Sequence, residues 1–126
     1  AAIENRAGKG HTLLIGTFPG AGYFLHHAPG TREFFSGLLI WAGLRLMARV
    51  NDSRVISRLH GGAGGDYLWV VNPTRQARTA TVTLDERLGP FRRGRDLWQQ
   101  SAPKVDGRRI EVTVEGRNVA VVRLEQ

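Results

Sequence analysis

The chain of 126 residues contains no cysteine, which excludes disulfides, thiolate nucleophiles and thiolate metal sites. It has no uninterrupted apolar run of about 18 residues, so no membrane-spanning helix is expected. Its opening residues, "AAIENRAGKGH", are not followed by the apolar core of a secretion signal, and a cytoplasmic location is the expectation. An initiator Met is also lacking, and the chain opens in what reads as mid-strand. An excerpt from a longer chain is therefore expected. Lysine is scarce: Lys9 and Lys104 apart, the net charge of +7 rests on arginine. A basic balance brings nucleic acid into consideration. Acids are interspersed, however, as in "LDERLGPFRRGRDL", and the densest cluster, Arg92, Arg93 and Arg95, is followed at once by Asp96. No basic stripe with interleaved aromatics is visible along the chain, so a solvated arginine-rich surface is the favoured reading.

What is present falls into two halves that change character near Ala48. In the first, Ala2 to Arg6 reads as a short strand and Gly8-Lys9-Gly10 as a tight turn. "HTLLIG", His11 to Gly16, reads as a strand too continuously apolar to be half exposed, and burial on both faces is expected. Thr31 is a candidate N-cap. From Arg32 to Met47 the residues Phe34, Phe35, Leu38, Leu39, Trp41, Ala42 and Leu46 recur at the spacing of one helical face. Gly37 and Gly43 weaken that helix and are expected to permit close packing. Two strands and one helix cannot cover both faces of a sheet, so this half reads as the closing segment of a larger α/β domain.

Residues 54 to 126 read as all-β. Arg54 to His60 alternates, with Val55, Ser57 and Leu59 on one face. Gly61 to Gly65 connects it to "DYLWVVN", Asp66 to Asn72, which Pro73 stops. "TATVTL", Thr79 to Leu84, alternates cleanly. Arg95 to Gln99, Arg109 to Val114 and Asn118 to Leu124 follow, with Asp106-Gly107 and Glu115-Gly116 expected to be hairpin turns. Six short strands without a helix predict a small antiparallel sandwich.

The glycine-rich stretch "LLIGTFPGAGYFLHHAPG" invites a test for chemistry. A P-loop needs a lysine after its last glycine; here Tyr23 follows Gly22, and Pro19 removes an N–H donor. Gly20 and Gly22 supply only the first pair of a dinucleotide fingerprint, with Leu25 where the third glycine would stand. His26 and His27 are adjacent and point apart, while His11 and His60 lie in other segments, so no metal-ligand spacing exists. Ser36, Ser53, Ser57 and Ser101 lack a nucleophile-elbow context. Asp66, Asp85, Glu86, Asp106 and Glu115 read as turn formers or outward-facing solubilising residues rather than paired acids. Asn51-Asp52-Ser53 matches a glycosylation sequon, a triplet common by chance. Three aromatics, Trp98, Tyr67 and Trp69, are candidates for stacking on a sugar ring. Trp69, between Leu68 and Val70, is expected to be a core residue instead.

"ENRAGKGHTLLIGTFPGAGYF" resembles the end of the trimerisation domain of glycoside hydrolase family 42 β-galactosidases. Gly8-Lys9-Gly10 corresponds to a hairpin there, and Leu13-Leu14-Ile15-Gly16-Thr17 to an apolar strand. "DYLWVVNPTRQARTATVTL", "GRDLW", "VDGRRIEVTV" and "NVAVVRLE" are similar to the course of that family's small C-terminal β-sandwich. The resemblance implies residues 1–48 as the end of an α/β, flavodoxin- or amidotransferase-like domain, and 49–126 as a mainly β, antiparallel sandwich domain. It implies a non-catalytic accessory role, because the family's catalytic carboxylates lie on a β/α barrel and none maps onto this sequence. No catalytic, cofactor-binding or metal-ligating residue is expected. The expected partner is the catalytic barrel of a parent chain or a further copy in a homo-oligomer. Two alternatives stand beside this reading: a carbohydrate-binding module using Trp98, Tyr67 or Trp69, and a nucleic-acid binder using Arg92, Arg93 and Arg95.

Overall fold

The computed structural model describes residues 2–27 and 29–126, and the chain divides into two compact units, Ala1–Arg45 and Leu46–Gln126. The fold is mainly β, and every strand pair is antiparallel. Among the described residues no helix is long and apolar enough to cross a membrane.

In the first unit, β1 (Ala2–Ala7) and β2 (Gly10–Ile15) form a hairpin in which Ala7 faces Gly10. Gly8, at φ +60°, supplies the left-handed residue of the turn. Two helices follow where one was expected: α1 (Pro19–His26) and α2 (Pro29–Trp41). Pro19 sits in the first turn of α1, where its missing N–H costs nothing, so the proline that reads as a loop residue starts a helix. His27 ends α1 in the left-handed region at φ 50°, its N–H donating to the Tyr23 carbonyl at 2.8 Å. Thr31 lies inside α2 and is not its cap.

Helix α2 stops six residues before Met47, and the reason is local. Gly43 takes φ +68°, its N–H donates to the Ile40 carbonyl at 2.9 Å, and the Leu44 N–H donates to the Leu39 carbonyl at 2.8 Å. These two bonds are the Schellman stop, so Gly43 serves helix termination rather than close packing. A Cβ at Gly37 would meet nothing within 4 Å, so that glycine is not a packing notch either. In this chain β2 is not buried on both faces. Leu13 and Ile15 are half-buried, Leu14 is exposed, and no described residue of this unit is fully buried.

The second unit is the sandwich. One sheet has the order β4 (Ile56–Gly62), β5 (Gly65–Asn72), β10 (Asn118–Glu125), β7 (Arg93–Asp96). The other has the order β3 (Ala48–Val50), β6 (Arg78–Leu84), β9 (Arg109–Val114), β8 (Lys104–Asp106). Strands β3 and β8, three residues each, are too short to show a periodicity in the sequence. Asp106-Gly107 does turn a hairpin, from β8 into β9. Glu115-Gly116 does not: β9 and β10 belong to different sheets, and the turn is a crossover. A Cβ at Gly116 would collide with the Arg75 carbonyl, which fixes glycine there.

Alternation decides which side chains fill the interior. Leu68 and Val70 of β5 and Ala120, Val122 and Leu124 of β10 face Ala80, Val82 and Leu84 of β6 and Ile110, Val112 and Val114 of β9. Phe91 and Val55 complete this core. Trp69 is not part of it. It lies between two inward residues on a period-2 strand, so it points outward and is 41% exposed.

Replacing a filled interior position should therefore cost far more than replacing an outward one. Leu68→Ala is expected to destabilise the sandwich by about 2–5 kcal/mol, and Ile56→Ala, on the outer face of β4, to change it by no more than about 0.5 kcal/mol. Urea unfolding followed by far-UV circular dichroism measures both.

Candidate ligand-contacting groove beside Trp98

Strand β7 ends in Asp96, whose side chain is 2% exposed. Its Oδ1 accepts from the N–H groups of Trp98 (3.0 Å) and Val121 (3.1 Å), and its Oδ2 accepts from the Ser101 hydroxyl (2.7 Å) and Ser101 N–H (3.3 Å). Burial alone pushes the carboxyl pKa up. The hydrogen bonds from Ser101, Trp98 and Val121 outweigh that effect and hold it below the ordinary value of 3.8. Asp96 thus winds residues 97–101 around itself and ties them to β10.

That loop presents Trp98. The residue is 66% exposed, and its Nε1–H donates to Asn118 Oδ1 at 3.2 Å. Asn118 Oδ1 also accepts from the Val119 N–H at 2.8 Å, and Asn118 Nδ2 donates to Gln99 Oε1 at 3.4 Å. Gln99 Oε1 takes a further bond from the Glu115 N–H at 3.2 Å, which leaves its buried Nε2 without a partner among the described residues. A groove of about 430 Å³ runs alongside, lined by Val71, Asn72, Pro73, Trp98, Arg117, Asn118 and Val119.

The floor of the groove is rigid because Asn72 is fully buried and fully used. Its Nδ2 lies within hydrogen-bonding distance of the carbonyls of Gln76 (2.8 Å), Val114 (3.0 Å) and Glu115 (3.1 Å). Its Oδ1 accepts from the N–H and hydroxyl of Thr74, at 3.1 and 2.7 Å. Asn72 stands at the end of a strand in one sheet and binds carbonyls at the end of a strand in the other. Arg117, at φ 56°, donates its N–H to the Thr74 carbonyl at 2.7 Å, which sets the remaining wall.

Of the three aromatics named as sugar-stacking candidates, Trp98 alone lines this groove. Tyr67 and Trp69 lie together on the outer face of β5, with the Tyr67 hydroxyl donating to the Gly64 carbonyl at 3.0 Å and Trp69 edge-on to His60 at 6.2 Å. No ring contact joins either to Trp98 among the described residues. Asp96, Asn72, Gln99 and Asn118 are the positions that motif reading passes over. A signal for Asn72 exists in "NPT", an Asn-Pro turn opener; Asp96 reads only as a counter-charge to the arginines before it.

Chemically, the groove offers a flat apolar ring with amide and guanidinium groups at its edge. None of the described residues lining it is an aspartate, glutamate or histidine. Asp96 is engaged by backbone N–H groups and the Ser101 hydroxyl, and Asp52 by the Arg54 guanidinium (3.0 Å), the Arg54 N–H (3.0 Å) and Arg78 (2.9 Å). These partners, Arg54 first, hold Asp52 far below the usual carboxylate range. Among the described residues no three His, Asp or Glu side chains converge as a metal site would require.

No family model matches the chain, and no curated protein matches it. Among solved structures, it is similar to a catalytic mutant of Gan42B, a GH42 β-galactosidase from G. stearothermophilus, with 22% identity and a TM-score of 0.59. The likeness covers 100% of this chain and 16% of that one. It establishes a shared fold with one part of that enzyme.

The Asp96 hydrogen bonds generate a pH-dependent prediction. A carboxyl whose folded pKa is depressed contributes stability that is fully present above its unfolded value and is lost as pH falls through the folded value. Asp96→Asn should lower stability at neutral pH by about 1–3 kcal/mol and flatten the loss of stability below the ordinary value of 3.8. Urea midpoints across a pH series measure both effects.

Proposed function

We propose that the chain is a non-catalytic C-terminal accessory segment of a β-galactosidase-like glycosidase, with a structural or oligomerisation role. The observation that carries this reading is that no described residue of the first unit is fully buried. Ile3, Leu14, Phe18, Phe24, Leu25 and Ile40 are all well exposed, Phe24 at 77% and Ile40 at 78%. An amphipathic hairpin and two helices with that much apolar surface in water are the rim of a structure completed by another surface. A catalytic barrel in the same parent chain or a further copy of the segment would supply it. The fold likeness to 16% of a GH42 β-galactosidase supports this reading, as does the engagement of Asp52 and Asp96 in structural hydrogen bonds.

Hydrogen exchange read by mass spectrometry tests the proposal. In the isolated chain, amides of β1, β2 and α2 should exchange far faster than those of β5, β6, β9 and β10, and the chain should not hydrolyse a chromogenic galactoside. Equal protection of both units, or turnover, contradicts it.

A second reading rests on the groove. The exposed Trp98 ring, with Asn118 and Arg117 at its edge, suits the apolar face and hydroxyls of a sugar, which makes the sandwich a carbohydrate-binding module. Galactose titration should quench or shift tryptophan fluorescence, and Trp98→Ala should abolish the response. An unchanged spectrum at saturating galactose contradicts this second reading.

A further inference from the structure

The two outer faces of the sandwich differ in kind. The outer face of the β3-β6-β9-β8 sheet is polar throughout: Thr79 and Thr113 share a hydrogen bond at 2.8 Å, and Lys104 pairs with Glu111 at 3.0 Å. It needs only water. The other sheet does not follow that pattern. Its register brings outward side chains from four strands into rows. Ile56, Val71 and Val119 form the first row. Arg58, Trp69 and Val121 form the second, and Leu97 continues it through its N–H bond to the Val121 carbonyl at 2.8 Å. His60, Tyr67, Arg123 and Arg95 form the third.

Apart from Arg58 on the edge strand β4, one half of this face is therefore apolar and the other cationic. Ile56, Trp69 and Leu97 remain between 41% and 48% exposed on it. Among the described residues Arg93, Arg95 and Arg123 enter no ion pair. Three of the unit's acids pair with other cations, Asp52 with Arg54 and Arg78, Asp85 with Arg87, and Glu111 with Lys104. Among the described residues, Glu125, opposite Arg93 at the margin, is the one acid that the strand register places beside the cations.

We propose that this face docks a protein surface of opposite charge, apolar at its centre and carboxylate-rich on one side. The inference rests on the sandwich alone and is independent of the proposed accessory role. Charge complementarity selects the partner's chemistry. A second copy would set arginines against arginines or aliphatics, with almost no carboxylate to receive them, so self-pairing is disfavoured. Composition selects the class. Trp, Tyr and Arg without lysine, around aliphatic Ile56, Val71, Val119 and Leu97, is the mixture of protein interfaces and their energetic centres. A single-stranded nucleic acid needs open aromatic planes on which bases stack. Here Trp69 stands edge-on to His60, the Tyr67 hydroxyl is bonded, and most of the remaining area is aliphatic.

The experiment uses the full chain and three fluorescently labelled probes: an amphipathic peptide of leucine and glutamate, its leucine and glutamine counterpart, and an oligothymidylate. Anisotropy is read at low and at raised salt. The glutamate peptide should bind best and weaken with salt. Arg95→Glu with Arg123→Glu should reduce its affinity at least about tenfold, and so should Trp69→Ser. Arg109→Glu on the opposite sheet should leave it unchanged. All four positions are exposed on strand surfaces, and unaltered circular dichroism confirms that the variants fold. Equal binding of the glutamine peptide, tighter binding of the oligothymidylate, or indifference to the Arg95, Arg123 and Trp69 changes overturns the proposal.

Discussion

The sandwich is organised by one constraint: two sheets must share a single set of inward-facing side chains. Period-2 alternation on β5 and β10 delivers Leu68, Val70, Ala120, Val122 and Leu124 to one side of that interior, and β6 and β9 deliver six more residues to the other. Once these are inside, every residue between them must face out. Trp69 and Tyr67 are outside for that reason, and so are Arg95 and Arg123. The surface chemistry of the sandwich is thus a consequence of how its core is filled.

Two buried polar side chains then close what the apolar core leaves open. Asn72 joins the end of β5 to the end of β9 through backbone carbonyls, and Asp96 joins the loop after β7 to β10 through backbone N–H groups. Each satisfies groups that would otherwise be buried without partners, a cost of about 1–3 kcal/mol apiece. They act at strand ends, where ladder hydrogen bonding runs out. The groove beside Trp98 lies between the two clamps, so its walls are set by backbone bonds rather than by loop packing.

Much of the sandwich is legible in the sequence because alternation is a strong signal. "TATVTL" and "RIEVTV" announce their inward residues directly, and Val55, Ser57 and Leu59 fall on one face as their spacing implies. The signal fails in "LWVV", where four apolar residues in a row conceal the period and Trp69 reads as core. It fails again for β3 and β8, which are too short to show a period, and for α1, where Pro19, Gly20 and Gly22 have the composition of a loop. Asn72 and Asp96 are illegible for a different reason. Their partners, Val114, Glu115 and Val121, lie more than twenty residues away in sequence, and only pairing brings them together. The mixed rows on the outer sheet face are of the same kind. Arg95, Arg123, Tyr67 and His60 come from four strands, and no single segment contains the pattern.

The contrast between the units bears on function. The sandwich has a complete interior, whereas the hairpin and helices of residues 2–45 have none among the described residues. The proposed reading is that this chain is part of a larger protein that completes the first unit. The most direct test is the denatured mass of the native protein in its source cells, detected with an antibody raised against this chain. The account predicts a band several times 13.9 kDa. A band at 13.9 kDa that also sediments as a monomer under native conditions would contradict it.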